Sequence, residues 1–335
     1  MNLQYLKSYF IIKHRAAWYS FILTGLSLSL IHIFGPTNPV LLIFDRILPG
    51  AGWLEIAMLT LYALVVTDNI IDPSKTILWR KRIWLFFSIV FFTQLLLGLI
   101  GYKIFLMTGK LHFPIPALIF AGPLYRGEGV FMPILFFTTI ALIGPAWCSY
   151  ICYFGAWDNK VALGKRKATT LPAWRQPLRI VLSIVIFGGA YVMRLLDVPV
   201  TAAIIVAVSF ALIGVGIILY FSRKTGMLVH CVTYCPIGLA SVYFGRLNPF
   251  RVKINTDCID CMKCTTSCRY DSLSKDDVIK RTPTISCTLC GDCMAVCPVD
   301  ALEYRFFKMK PENARKLFFV LTISLHAIVL GFARI

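Results

Sequence analysis

Seven stretches of the chain are almost wholly apolar, at residues 17–34, 50–66, 83–107, 130–147, 178–196, 200–221 and 317–332. A helix needs about 20 mostly apolar residues, within a range of roughly 17–25, to cross a bilayer. The pattern therefore predicts an all-α polytopic membrane domain of about six or seven spans. The second and seventh stretches are short and the second contains Glu55, which leaves an interfacial or tilted helix open for either. The first ends in Ile33-Phe34-Gly35-Pro36, without a small-residue cleavage pattern, so it reads as a retained span and not as a cleaved signal.

Lysine and arginine set the expected orientation. Lys7, Lys13 and Arg15 precede the first stretch, and Lys75, Arg80, Lys81 and Arg82 the third. Lys160, Lys165, Arg166, Lys167, Arg175 and Arg179 precede the fifth, and Arg223 and Lys224 follow the sixth. These fifteen charges lie on one side, against Arg46, Lys103, Lys110, Arg126 and Arg194 on the other. The richer side is expected to be the cytoplasmic face of a bacterial-type inner membrane, shared by residues 226–316. Composition agrees: 58% of the 335 residues are hydrophobic and 15% charged, against roughly 45–50% and 25% in soluble proteins, which excludes a soluble globular protein. A net charge of +18 then reads as loops facing anionic membrane lipid. No nucleic-acid partner is expected, because no basic-aromatic stretch stands apart from the apolar segments.

Several polar groups near these spans are candidates for chemistry. Residues 108–129 carry Pro114, Pro116 and Pro123 beside the apolar run Ala117-Leu118-Ile119-Phe120, a loop expected to dip into the membrane or pack on it. His112, Arg126 and Glu128 in this loop are candidate polar groups of a quinone site, with a simply packed loop as the alternative. Glu55 is a candidate for proton transfer, or an interface residue if its helix is shifted by a few positions. His32 and His326 read as haem ligands or as packed residues, and Trp147 and Trp157 as interface anchors. No phosphate loop or nucleotide fingerprint occurs in a strand-turn-helix context.

The strongest chemical signal is the cysteine spacing. Cys258, Cys261, Cys264 and Cys268 follow C-x2-C-x2-C-x3-C, and Cys287, Cys290, Cys293 and Cys297 repeat it twenty-nine residues later. Asp271 and Leu273 recur as Asp300 and Leu302, so the segment is an internal duplication. Three thiolates on one tight loop cap three irons of a cubane, and the fourth must come from another direction. In the two-cluster bacterial pattern the fourth cysteine of each run ligates the other cluster. This assigns Cys258, Cys261, Cys264 and Cys297 to one 4Fe-4S cluster and Cys287, Cys290, Cys293 and Cys268 to a second, within an α+β ferredoxin module with a short antiparallel sheet and two helices. Zinc sites use ligands in separated pairs and not this interleave. Arg269 stands where a proline usually follows the fourth cysteine, and Met262-Lys263 replaces a glycine-containing turn. Both are expected to act on the first cluster's potential without removing a ligand.

The other four cysteines form two C-x3-C pairs, Cys148 with Cys152 and Cys231 with Cys235, each followed by a glycine, Gly155 or Gly238. Each pair follows a predicted span. Positions i and i+4 share a helix face, so the pairs together offer four thiolates for a third 4Fe-4S cluster. A thiol-disulfide relay and plain buried cysteines are the competing readings.

The segments Trp147-Cys148-Ser149-Tyr150-Ile151-Cys152 and His230-Cys231-Val232-Thr233-Tyr234-Cys235-Pro236, joined to the duplicated run, resemble the NapH/MauN polyferredoxin group, related to the membrane part of NosR and to CcoG-type proteins. Tyr153 departs from that pattern, which has proline there. The resemblance implies a non-catalytic membrane electron-transfer subunit, or a quinol dehydrogenase component, between the quinone pool or a cytoplasmic donor such as a soluble ferredoxin and a partner oxidoreductase or cytochrome. The alternative is an assembly protein that reduces metal or thiols during maturation of another enzyme. The expected layout is a membrane domain at 1–225, the second cysteine pair and linker at 226–247, the double-cluster module at 248–306 and a last span at 307–335.

Overall fold

In the computed structural model, which describes residues 3–35, 40–105 and 114–332, the chain is mostly helical and packs as two compact units. Residues 1–113 with 308–335 form one and residues 114–307 the other. This is a different cut from the one hydropathy draws, since three long apolar helices group with the cysteine-bearing segments. Among the described residues, seven helices are long and apolar enough to cross a membrane: His14–Phe34, Gly52–Ile70, Thr76–Ile100, Phe131–Tyr150, Arg175–Leu195, Val200–Thr225 and Pro311–Gly331. Each lies on one of the seven apolar stretches. Only 11% of the most apolar window of Arg175–Leu195, and likewise of Val200–Thr225, is covered by the rest of the protein. Contiguous apolar surface of that extent belongs in lipid, which marks a membrane protein.

In the first unit the interior is tied by small polar groups, as expected where lipid removes the hydrophobic drive between helices. Ser20 and Ser324 join hydroxyl to hydroxyl at 3.1 Å. The Thr60 hydroxyl donates to Ile56 O at 2.6 Å, beside a core of Leu28, Leu42 and Ile56. The third span ends at Ile100, short of the expected residue 107, because Gly101 takes a left-handed cap with φ 115°.

The second unit begins with a correction. The segment read as a loop contains the helix Leu118–Arg126 with Pro123 inside it. It packs on Arg175–Leu195 through Phe120 and Phe187, 5.8 Å apart, and the Tyr125 hydroxyl donates to Val198 O at 2.7 Å. The prolines suggested a loop, but a proline inside a helix is tolerated where a neighbouring helix packs against it.

Strands Phe250–Ile254 and Leu302–Phe306 pair antiparallel, from Phe250 opposite Phe306 to Ile254 opposite Leu302, and bracket the short helices Lys263–Ser267 and Lys275–Ile279. Phe250, Val252, Ile254, Leu302 and Tyr304 are buried on one face, the period-two pattern of a half-covered sheet. The duplication extends to the backbone. Left-handed residues recur twenty-nine positions apart, Asp260 with Leu289, Met262 with Gly291 and Asp271 with Asp300. Aspartate suits that conformation better than most residues, which accounts for the Asp271/Asp300 match. Met262 supplies at φ 59° the turn that Gly291 makes in the second half.

Candidate functional site

The two C-x3-C pairs are built alike. Cys148 lies in the helix Trp147–Tyr150, whose backbone closes with Cys152 N–H donating to Trp147 O at 2.9 Å, five residues back. Cys231 lies in the π-helical turn His230–Tyr234, closed in the same way by Cys235 N–H on His230 O at 2.9 Å. Wide turns of this kind recur at functional sites. Cys152 and Cys235 are extended, with φ/ψ of −63°/114° and −76°/119°, and each is the N-cap of the next helix, Tyr153–Ala162 or Pro236–Phe244. The expectation of two cysteines on one α-helical face is thereby corrected: each pair straddles a corner between helices. Pro236 forces its predecessor to be extended, while at Tyr153 the same corner forms without proline.

Both corners point N–H groups at sulfur. Gly238 N–H donates to Cys235 Sγ at 3.4 Å, and the N–H groups of Phe154 and Gly155 face Cys152. A helix N-terminus favours negative charge. All four sulfur-bearing residues are buried and line one small pocket together with Trp147, His230, Gly155 and Gly238. Burial raises the Cys152, Cys231 and Cys235 thiols above their ordinary range, so they stay protonated until a cation offsets the charge. Burial also pushes His230 down to about 4 and Asp158 up to about 6.

The Cys231 peptide is held from both sides. Its N–H donates to the buried Asp158 carboxylate at 3.1 Å, and its C=O accepts from the buried Arg179 guanidinium at 2.7 Å. Neither residue had been singled out from the sequence, where Arg179 counts as one more basic residue ahead of a span. A Cβ on Gly238 would sit 2.4 Å from Arg179 Nη2 and 2.7 Å from Cys231 O. Gly238→Ala is therefore expected to destabilise the unit by about 1–3 kcal/mol, read as a lower thermal unfolding midpoint.

In the duplicated segment, Cys268 lines one small pocket with Cys287, Cys290 and Cys293. Cys264 has Cys258, Cys297 and Cys261 as its electrostatic neighbours. The fourth cysteine of each run thus lies with the other run's first three, the interleave that the spacing predicts. Each fourth sulfur accepts a backbone bond at 3.3 Å, Cys268 from Ser272 N–H and Cys297 from Ala301 N–H. Burial pushes Cys268 and Cys287 up to about 12. The Cys258 set is the more open one: Cys261 is exposed and so is its neighbour Ile259. Among the described residues, no three His, Cys, Asp or Glu groups gather tightly enough for a single metal ion. The thiols surround volumes instead, with N–H donors aimed at sulfur, the environment a thiolate-held cubane requires.

The first cysteine corner rests directly on the second thiol set. The Ser149 hydroxyl donates to Thr288 O at 2.8 Å, Tyr150 to Cys290 O at 3.3 Å, and Tyr270 to Cys148 O at 3.2 Å. Arg269, the residue that departs from the ferredoxin pattern, donates to Ala162 O at 2.9 Å, to Lys165 O at 3.0 Å and to Gly226 O. These carbonyls lie in and after the turns that end the Tyr153–Ala162 helix and the Val200–Thr225 span. Arg175 pairs with Asp271, Gln176 donates to Ser286 at 3.1 Å, and Asn248 donates to Ala141 O at 2.7 Å. The departure at Arg269 is a docking contact between the duplicated segment and the helices.

His112 lies outside the described residues. Arg126 and Glu128 are exposed at the end of the Leu118–Arg126 helix. Glu55, in the first unit, accepts Phe44 N–H at 2.9 Å, anchoring the turn Ile43–Ile47. His32 pairs with Asp45 at 3.1 Å, while His326 is buried between Tyr62 and Phe87. Trp157 is 40% exposed, but Trp147 is buried against Phe136 and lines the thiol cavity, which corrects its reading as an interface anchor.

A family profile of 4Fe-4S binding domains matches residues 126–170 and 200–255, and a second 4Fe-4S binding domain profile matches residues 286–303. The chain is 25% identical over 256 residues to YccM of Escherichia coli (strain K12), a protein named for a proposed role in electron transport, covering 70% of this chain and 68% of that protein. It is 23% identical over 189 residues to an uncharacterised protein of Methanocaldococcus jannaschii, covering 52% of this chain and 69% of the other. No solved structure matches. The chain thus carries 4Fe-4S binding domains together with membrane-spanning helices.

Proposed function

We propose that the protein is a membrane-bound electron carrier in which three thiol sets, each holding a 4Fe-4S cluster, form one ordered path. The Cys148, Cys152, Cys231 and Cys235 set stands at the membrane end, the Cys268, Cys287, Cys290 and Cys293 set in the middle, and the Cys258, Cys261, Cys264 and Cys297 set at the solvent end. The observation that carries this reading is the seating of Ser149, Tyr150 and Cys148 on the Thr288–Cys290 loop and Tyr270. A one-electron carrier needs fixed, adjacent centres and no acid-base residues, and this contact holds two of them together. The first profile match supports the membrane-end cluster, because the only cysteines within 126–170 and 200–255 are Cys148, Cys152, Cys231 and Cys235. The likeness to YccM and the resemblance to the NapH/MauN group support an electron-transport role.

The thiol sets face the cytoplasm of a bacterial-type inner membrane on the charge distribution, a quinol serves the membrane end, and a soluble ferredoxin or partner oxidoreductase serves the solvent end. The maturation alternative, with Cys148, Cys152, Cys231 and Cys235 as working thiols, is disfavoured by their burial: a reactive thiol must be reachable. Iodoacetamide treatment of the native, anaerobic protein followed by peptide mass spectrometry separates the two. We expect no label on these four cysteines until the protein is unfolded. Ready labelling of the iron-loaded native protein would overturn the carrier reading in favour of working thiols.

A further inference from the structure

We propose that Arg179 is the fixed counter-charge of the membrane-end cluster, a positioning residue that holds the cluster's potential up. The inference rests on the reading that Cys148, Cys152, Cys231 and Cys235 bind a cluster. Arg179 lies on the Arg175–Leu195 helix, only 2% exposed. Its guanidinium donates to Cys231 O at 2.7 Å and to Cys235 O at 3.4 Å, the carbonyls of both cysteines of the second pair. The Cys235, Cys148 and Cys231 thiols all bear electrostatically on its charge. The helix turn opposite is cut back to glycine at Gly238, where any Cβ would fall 2.4 Å from Nη2.

A buried guanidinium is costly unless paired, and the partners described for it here are the Cys231 and Cys235 carbonyls, with the cysteine thiols close enough to act on its charge. The buried Asp158 carboxylate is engaged by Cys231 N–H. Four thiolates around a cubane carry net negative charge in the oxidised state and one further negative charge after one-electron reduction. Arginine stays cationic at any working pH, so in a site shielded from water it stabilises the reduced state more than the oxidised one. Its effect is therefore on potential, with binding of iron a secondary consequence.

The test is an EPR-monitored redox titration of the detergent-purified protein with dithionite as reductant, on wild type, Arg179→Lys and Arg179→Met, each with an iron count. The expected result is a midpoint potential for the membrane-end cluster that moves to more negative values in Arg179→Met, stays near wild type in Arg179→Lys, and leaves the other two clusters unmoved. Failure of Arg179→Met alone to retain its third cluster, with Arg179→Lys loaded, would also support a requirement for the charge. An unshifted potential in Arg179→Met, or an equal shift or equal iron loss in both variants, would overturn the assignment and leave Arg179 a packing residue. An iron count near 8 per chain in the wild type, where three clusters require about 12, would overturn the underlying cluster reading together with it.

Discussion

Cys148→Ser combined with Cys231→Ser is expected to lower the iron content of the anaerobically purified protein from about 12 to about 8 atoms per chain, with acid-labile sulfide falling in step. One cysteine is removed from each pair, so neither corner keeps two sulfurs. The loss should be confined to one cluster. The remaining eight cysteines occupy separate surroundings, Cys268 with Cys287, Cys290 and Cys293 in their own cavity, and Cys258, Cys261 and Cys297 around Cys264. The contacts that join the sets run through backbone carbonyls at Cys148, Thr288 and Cys290, which serine leaves in place. Serine also fills nearly the same space, so the cavity does not collapse and the unit keeps its fold. A count of about 8 in both proteins would sink the membrane-end cluster. Cys261→Ser is the complementary case: it strips a ligand from the exposed set and leaves the other two assigned sets complete.

The seven apolar helices were legible because an apolar run of that length has few other uses, and a helix lies on each such run, the third ending at Ile100 instead of residue 107. Their grouping was not legible, since packing partners within a membrane leave little trace in a pattern apolar on every face. The spacing of the duplicated cysteine run pointed to the residues that the structure gathers, Cys268 with Cys287, Cys290 and Cys293, and Cys297 beside Cys264. The C-x3-C pairs were read correctly as a repeated feature and wrongly as helix faces. The bond five residues back at Cys152 and Cys235 leaves no signature in residue type. The charge reading shows the limit best. Arg80 and Arg179 were counted as charges facing lipid headgroups, yet both are fully or almost fully buried, and Arg175 pairs with Asp271. A residue count cannot distinguish a solvated cation from one holding a carbonyl. Arg269 is the exception, since its place in a known pattern flagged it before its partners were visible.

Arg269→Pro restores the residue usual at that position and is expected to loosen the duplicated segment from the helices without unfolding it. Pro298 occupies the equivalent site of the second half, so this backbone accommodates proline. What the variant loses is one guanidinium shared by Ala162 O, Lys165 O and Gly226 O. Charge-assisted bonds of this kind are worth about 1.5–3 kcal/mol each when buried. Arg269 is only half-buried and its acceptors can take water, so a total near 2 kcal/mol is a reasonable expectation. That corresponds to roughly a thirtyfold rise in local opening, which hydrogen exchange at the Leu228 amide should record, since this N–H donates to Arg269 O at 3.0 Å. The iron count should stay at about 12, because no ligand is touched. Electron transfer from the membrane-end set to the middle set should slow, because tunnelling falls steeply with separation and the Ser149, Tyr150 and Tyr270 contacts no longer act with the Arg269 clamp. Arg269→Lys should fall between the two, as an ammonium cannot span three carbonyls in the fixed fork of a guanidinium. Unchanged exchange together with unchanged internal transfer in Arg269→Pro would show that the remaining contacts hold the segment in place without Arg269. Slower transfer with unchanged exchange would point to an effect on cluster potential at the adjacent Cys268 instead of docking.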